Sequence, residues 1–109
     1  GLLEDSIREG QVCFKLLPRD DRSKNYYQAC LLLADCFMEK QMPSIAVMWY
    51  KRAQEATGLN EDELQGLCYE LANAYERAGD TQNAKLNFES IYAMDVDYRD
   101  VSQRLMNLM

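Results

Sequence analysis

Residues 72–88 read ANAYERAGDTQNAKLNF, with a Gly79-Asp80 pair in the middle. The small and aromatic positions on either side of the pair are Ala72, Tyr75, Ala84 and Phe88. Intervals of three and four residues place such side chains on one face of a helix. Glycine commonly ends a helix in the left-handed conformation, and aspartate commonly caps the start of the next one. The stretch therefore predicts two helices joined by a tight turn.

The same apolar spacing predicts six helices along the chain. They cover about residues 2–17, 23–40, 43–57, 60–79, 80–94 and 97–109. Pro43 suits a first helical turn, Asn60 with Glu63 resembles a capping box, and Asp97 is the expected start of the last helix. On the fourth helix we place Leu64 with the inward residues. No stretch alternates with a period of two, so we expect no strand.

The helices also repeat in a fixed frame. Leu33, Ala34, Phe37, Ala46 and Tyr50 recur, at one constant displacement along the chain, as Leu71, Ala72, Tyr75, Ala84 and Phe88. A second step leads from Leu71, Ala72 and Tyr75 to Leu105, Met106 and Met109. The first step is longer than the second by four residues, which are placed in the loop at 59–62. The shorter step is therefore the underlying unit, and it is about 34 residues long, a length typical of repeated helix pairs.

A helix–turn–helix unit of this length resembles the tetratricopeptide repeat (TPR) family. The resemblance rests on LADCF at 33–37, LANAY at 71–75, the turn Gly79-Asp80, and the second-helix residues already described. Cys30 and Cys68 stand where the family usually has an aromatic residue, and Val96 replaces its closing proline. The resemblance implies an all-α fold, a right-handed superhelical stack of antiparallel helix pairs, or TPR-like α-solenoid, of about six helices.

The resemblance also implies a division of the single domain, residues 1–109. Residues 2–17 correspond to the second helix of a preceding repeat, and 27–60 and 65–98 to two repeats. Residues 97–109 correspond to a C-terminal cap or a following first helix. Because the chain does not begin with Met, we expect it to be a piece of a longer protein. We expect that protein to be bacterial and cytoplasmic.

The net charge of −6 is unevenly distributed along the chain. Residues 61–109 hold ten acidic and four basic side chains, whereas the two signs balance over residues 1–60. A surface of this kind is a poor match for nucleic-acid phosphates. No apolar run is long enough to span a membrane. The acidic face is either a solvated surface that favours solubility or a surface for a basic partner.

The sequence offers little material for catalysis. It has no histidine, and its four cysteines lack C-x-x-C spacing, so we expect no metal, no cofactor and no enzyme activity. The cysteines lie in apolar helical patterns and suit buried positions in a reducing compartment. Acidic runs at 61–63 and 95–100 are typical of first helical turns, where the helix dipole favours negative charge.

The TPR resemblance implies a concave groove, lined by the first helix of each pair, that takes a peptide or a partner helix. The groove positions in this frame are Gln28, Leu31, Asp35, Met38, Glu39, Tyr69, Asn73, Glu76, Arg77, Asp100, Gln103 and Asn107. Tyr69, Asn73 and Arg77 form a row that is either functional or an ordinary solvated stripe. TPR domains that bind chaperone C-termini need clustered Asn and Lys; here Tyr69 and Asp35 exclude that subtype.

We therefore expect a non-catalytic scaffold for protein–protein contacts whose partner is a protein or peptide, with a basic partner as one alternative. Two other functions stay open. The exposed ends of the helical stack could pair with each other in a self-association module. The chain could also be a regulatory domain attached to an enzyme outside residues 1–109.

Overall fold

The computed structural model describes all 109 residues and contains six α-helices and no strand. The helices are α1 (Leu2–Leu16), α2 (Lys24–Glu39), α3 (Pro43–Ala53), α4 (Glu61–Arg77), α5 (Thr81–Met94) and α6 (Val101–Leu108). This confirms the all-α prediction and the number of helices. None of the six is long and apolar enough to cross a membrane.

Local capping explains where α4 and α5 begin. The Asn60 side chain accepts a hydrogen bond from the Glu63 amide at 2.8 Å, and the Glu63 carboxylate accepts one from the Asn60 amide at 3.0 Å. This reciprocal pair is the predicted capping box. Gly79 adopts a φ of +85°, which favours glycine, and the Asp80 carboxylate accepts from the Asn83 amide at 3.1 Å. The turn proposed from residues 72–88 is confirmed.

The end of α3 was predicted too late. The helix stops at Ala53, although Gly58 has the expected left-handed φ of +75°. Beyond Ala53 the chain leaves the helix axis, because Thr57 binds a distant loop. Its amide and its hydroxyl both donate to the carbonyl of Arg22, at 2.7 and 3.2 Å. A contact between residues far apart in the sequence therefore decides this boundary.

The start of α6 was predicted too early. The helix begins at Val101 rather than Asp97, and residues 95–100 form turns. Within these turns the Asp95 carboxylate accepts from the Asp97 amide at 3.0 Å, and Arg99 adopts a left-handed φ of +40°. An Asp side chain that binds the amide two residues ahead competes with helix formation. Asp97 therefore belongs to the turn and does not cap a helix.

The helices pack in chain order. Each contacts the next one along the sequence, and the contacts within α2–α3 and α4–α5 are the most extensive. In each of these pairs, two alanines at equivalent repeat positions have no exposed surface. These residues are Ala34, Ala46, Ala72 and Ala84. Because they are small, these buried side chains allow the paired helices to approach closely. The molecule measures 41 × 32 × 19 Å.

The core consists of two clusters of buried side chains. The larger cluster lies between α1, α2, α3 and α4, and the smaller one lies between α4, α5 and α6. Tyr75 of α4 packs against both clusters and so connects them. Leu64, predicted to point inward on the same helix, is 44% exposed. That part of the prediction is wrong, because the inner face of α4 begins at Leu67.

Candidate functional site

A groove with a volume of about 420 Å³ lies between α2 and α4. The turn before α6 contributes Arg99 to its wall. The lining residues are Tyr27, Leu31, Asp35, Gly66, Leu67, Glu70 and Arg99. A volume of this size is in the range of pockets that take small ligands or anchoring side chains. Only Leu31 and Asp35 of the predicted groove positions line it.

Helical spacing brings the lining residues together. Tyr27, Leu31 and Asp35 are four residues apart on α2, so they share one face of that helix. Gly66 and Glu70 stand in the same relation on the facing helix, α4. Since Gly66 has no side chain, its part of the wall is open backbone. The groove is thus apolar and aromatic at one end and carries carboxylates at the other.

Asp35 is held in place by the core beneath it. The hydroxyl of Tyr50 on α3 donates a hydrogen bond of 2.6 Å to the Asp35 carboxylate. Only 1% of Tyr50 is exposed. Burial, and secondly the hydrogen bond to Asp35, raise the pKa of Tyr50 far above its ordinary value. The phenol therefore stays protonated and acts as a fixed donor that orients the carboxylate.

Glu70 lines the same groove, and its surroundings disfavour the charged form of its carboxyl group. Burial raises its pKa, and the negative charge of Asp35 raises it further, while Arg99 acts in the opposite direction. The Arg99 guanidinium lies 3.9 Å from the Glu70 carboxylate, at the outer limit of an ion pair. The central carbon of the Arg99 guanidinium also lies 4.7 Å from the centre of the Tyr69 ring. One cation thus faces two carboxylates, and the groove is acidic.

Arg104 of α6 engages four of the predicted groove residues, one of them, Asp100, in an ion pair of 3.7 Å. Its guanidinium donates to Asn73 and to Glu76 at 2.5 Å each, and to the Tyr69 hydroxyl at 3.4 Å. The Tyr69 hydroxyl in turn donates to Asp100 at 2.6 Å. These polar groups therefore join α4 to the start of α6 and have partners within the chain.

The other predicted groove residues lie outside the groove. Arg77 is exposed and takes no part in the network around Arg104, whereas Tyr69 and Asn73 belong to it. Met38 packs against the larger core cluster. The Gln103 amide donates to Asn107 at 3.1 Å within α6. Gln28 and Glu39 are exposed on α2 but do not line the groove.

Sequence reasoning did not assign six residues to this region: Tyr27, Gly66, Leu67, Glu70, Arg99 and Arg104. Tyr27 could have been found, because it continues the four-residue spacing of the α2 stripe. A glycine inside a helical pattern was also a signal, since it often marks an open or closely approached position. Glu70 and the two arginines had no local signal. Their roles depend on the path of the turns at 95–100.

The chemistry of this region is that of carboxylates, amides and guanidinium groups. The described residues hold no group of three or more His, Cys, Asp or Glu side chains arranged to bind a metal ion. Burial raises the pKa of Cys30 to about 11 and also raises the pKa of Cys36 and Cys68. These three thiols are therefore protonated at neutral pH and weakly nucleophilic.

Comparison with protein-family models finds no match for this sequence, and comparison with curated proteins finds none either. The repeat frame and the geometry of the groove are therefore the features that bear on its function.

Proposed function

We propose that this chain is a non-catalytic interaction module of the TPR type that binds a basic peptide segment in the groove between α2 and α4. The repeat frame that relates Leu33 to Leu71 and Leu71 to Leu105 supports the family, and the packing of each helix on the next supports a stacked array. In this proposal the pairs α2–α3 and α4–α5 are two repeats of a right-handed superhelix, with α1 and α6 as parts of the flanking ones.

The observation that carries the proposal is the charge balance of the groove. Asp35 and Glu70 share the space, with Arg99 at 3.9 Å from Glu70 as the one nearby cation. A lysine or arginine side chain from a partner would restore the balance. Hydrogen bonds between charged groups are stronger than neutral ones, most of all where solvent is partly excluded.

The rest of the groove suits the remainder of such a side chain. Leu31 and Tyr27 offer apolar and aromatic surface next to the carboxylates. Lysine and arginine carry long aliphatic stems that pack on such surface while the charged end reaches a polar group. Gly66 contributes no side chain to the wall on the α4 side. An extended segment with one buried basic anchor therefore fits both the chemistry and the shape.

The test is selection of peptides from a random library of short peptides displayed on phage, with the folded chain as bait. We expect the selected peptides to be enriched in Lys and Arg at one fixed position. Binding of a selected peptide should then weaken about tenfold in Glu70→Gln, because that variant removes one charged partner. Fluorescence anisotropy of the labelled peptide measures the change.

Glu89→Gln is the matched control, because it removes the same charge from an exposed site on α5. Its affinity for the peptide should be close to that of the wild type. Selected peptides without basic enrichment would contradict the proposal. An equal loss of affinity in Glu70→Gln and Glu89→Gln would also contradict it, since net charge alone would then explain binding.

A further inference from the structure

A second pocket, of opposite charge, shares no lining residue with the groove between α2 and α4. Its volume is about 500 Å³, and it is formed where the end of α1, the following loop, the start of α2 and the end of α3 meet. Four cationic side chains and one carboxylate line it. They are Lys15, Arg19, Arg22, Arg52 and Glu55.

A cluster of cationic side chains is unexpected in a chain with a negative net charge. The whole protein carries a net charge of −6 and has twelve basic side chains, so a third of them meet in this one pocket. Like charges held close together repel each other, and the repulsion is relieved when an anion binds between them. The arrangement therefore favours an anionic ligand.

The one carboxylate in the pocket already has partners. Glu55 accepts a hydrogen bond from the Tyr26 hydroxyl at 3.0 Å and lies 3.8 Å from the Arg22 guanidinium. The other three cations, Lys15, Arg19 and Arg52, form no ion pair with any carboxylate of the chain. Their charge is therefore free for a ligand.

Aromatic rings hold two of the arginines in position. The Arg22 guanidinium carbon lies 4.5 Å from the centre of the Tyr26 ring, and the Arg52 carbon lies 4.7 Å from that of Trp49. Stacking uses the face of a guanidinium and leaves the N–H groups at its edge free to donate. A stacked arginine also loses less conformational entropy when it binds.

We propose that this pocket binds a ligand through a multiply charged oxyanion group, with Arg52, Lys15 and Arg19 as the principal donors. The shared chemistry is that of a diphosphate or a polycarboxylate, since both present several oxygen acceptors within one small group. Guanidinium groups bind such acceptors in pairs, which gives directional recognition as well as charge. The site is separate from the acidic groove between α2 and α4, and its test does not depend on the proposed peptide.

The test is a calorimetric titration of the folded chain with inorganic pyrophosphate at constant ionic strength. We expect saturable binding with a Kd below about 1 mM, and a loss of about tenfold or more in Arg52→Gln. The double variant Lys15→Gln, Arg19→Gln should lose affinity to a similar extent. Because Trp49 is the only tryptophan and contacts Arg52, its fluorescence should also change on binding in the wild type.

Lys51→Gln is the matched control, since it removes one positive charge from the residue next to Arg52 but does not line the pocket. It should bind pyrophosphate like the wild type, and circular dichroism should show that all variants are folded. A parallel titration with citrate separates the two ligand chemistries: the anion that binds more tightly identifies phosphate or carboxylate. Absence of saturable binding by either anion, or an equal loss in Lys51→Gln and Arg52→Gln, overturns the proposal.

Discussion

Equivalent residues of the two helix pairs occupy similar positions but bind different partners. Asp35 and Asn73 are equivalent in the repeat frame, and so are Tyr50 and Phe88. In the first pair the Tyr50 hydroxyl binds Asp35. In the second pair phenylalanine has no hydroxyl, and Arg104 binds Asn73 instead. The repeat frame therefore predicts where a side chain lies, but the polar chemistry of each site depends on residues outside the frame.

The buried phenol of Tyr50 predicts a loss of stability at alkaline pH. Its pKa is raised in the folded protein, so the unfolded chain releases this proton first as the pH rises past about 10. Above that pH the free energy of unfolding falls, by up to about 1.4 kcal/mol per pH unit for one such group. Tyr50→Phe removes this contribution. In urea unfolding at about pH 8 and about pH 10.5, the variant should lose less stability between the two conditions than the wild type does.

Tyr92→Phe is the control for this comparison, because Tyr92 is 40% exposed and belongs to neither core cluster. At neutral pH Tyr50→Phe alone should be less stable by about 1 kcal/mol, the usual contribution of one hydrogen bond. An alkaline loss in Tyr50→Phe as large as that of the wild type would show that other groups, such as Cys30 with its pKa of about 11, account for the effect.

At the scale of helices, local signals predicted which segments are helical better than they predicted where each helix begins and ends. Capping at Asn60 and Asp80 placed the starts of α4 and α5 correctly, because the side chain and the backbone amide it binds are three residues apart. The end of α3 and the start of α6 were misplaced. The first depends on the Thr57–Arg22 contact, and the second depends on an aspartate that binds its own turn. The spacing of apolar residues predicts which face of a helix is buried. It cannot predict a helix boundary that depends on a residue far away in the sequence.

The crossing of α4 and α5 predicts the effect of a larger side chain. Ala84 has no exposed surface, so Ala84→Leu must displace the facing helix and should lower the free energy of unfolding by about 1–3 kcal/mol. The same substitution at Ala93, which is exposed on α5, should have little effect. Thermal unfolding followed by circular dichroism compares the two. Equal melting temperatures for the two variants would show that the crossing lies elsewhere.

Across the whole molecule, the groove was predicted only in part because it is made by three segments far apart in the chain. Leu31 and Asp35 were found from the face of one helix. Glu70 required the relative rotation of α2 and α4, and Arg99 required the course of the turns before α6. The basic pocket was missed for a similar reason. Its cations are spread between residues 15 and 52, where acidic and basic residues balance along the sequence.

The division of the core into two clusters predicts how the molecule unfolds. Tyr75 packs against both clusters, so its removal should weaken their coupling more than it weakens either cluster. In a stacked array, cooperativity depends on the interfaces between neighbouring units.

Trp49 packs against the larger cluster and reports on it, whereas circular dichroism reports on all six helices. In the wild type and in the exposed-site control Tyr92→Ala, urea transitions from the two signals should coincide. In Tyr75→Ala they should separate, with helix loss preceding the fluorescence change, because the smaller cluster then unfolds first. Coincident transitions in Tyr75→Ala would mean that the contacts between α3 and α4 suffice to couple the two clusters.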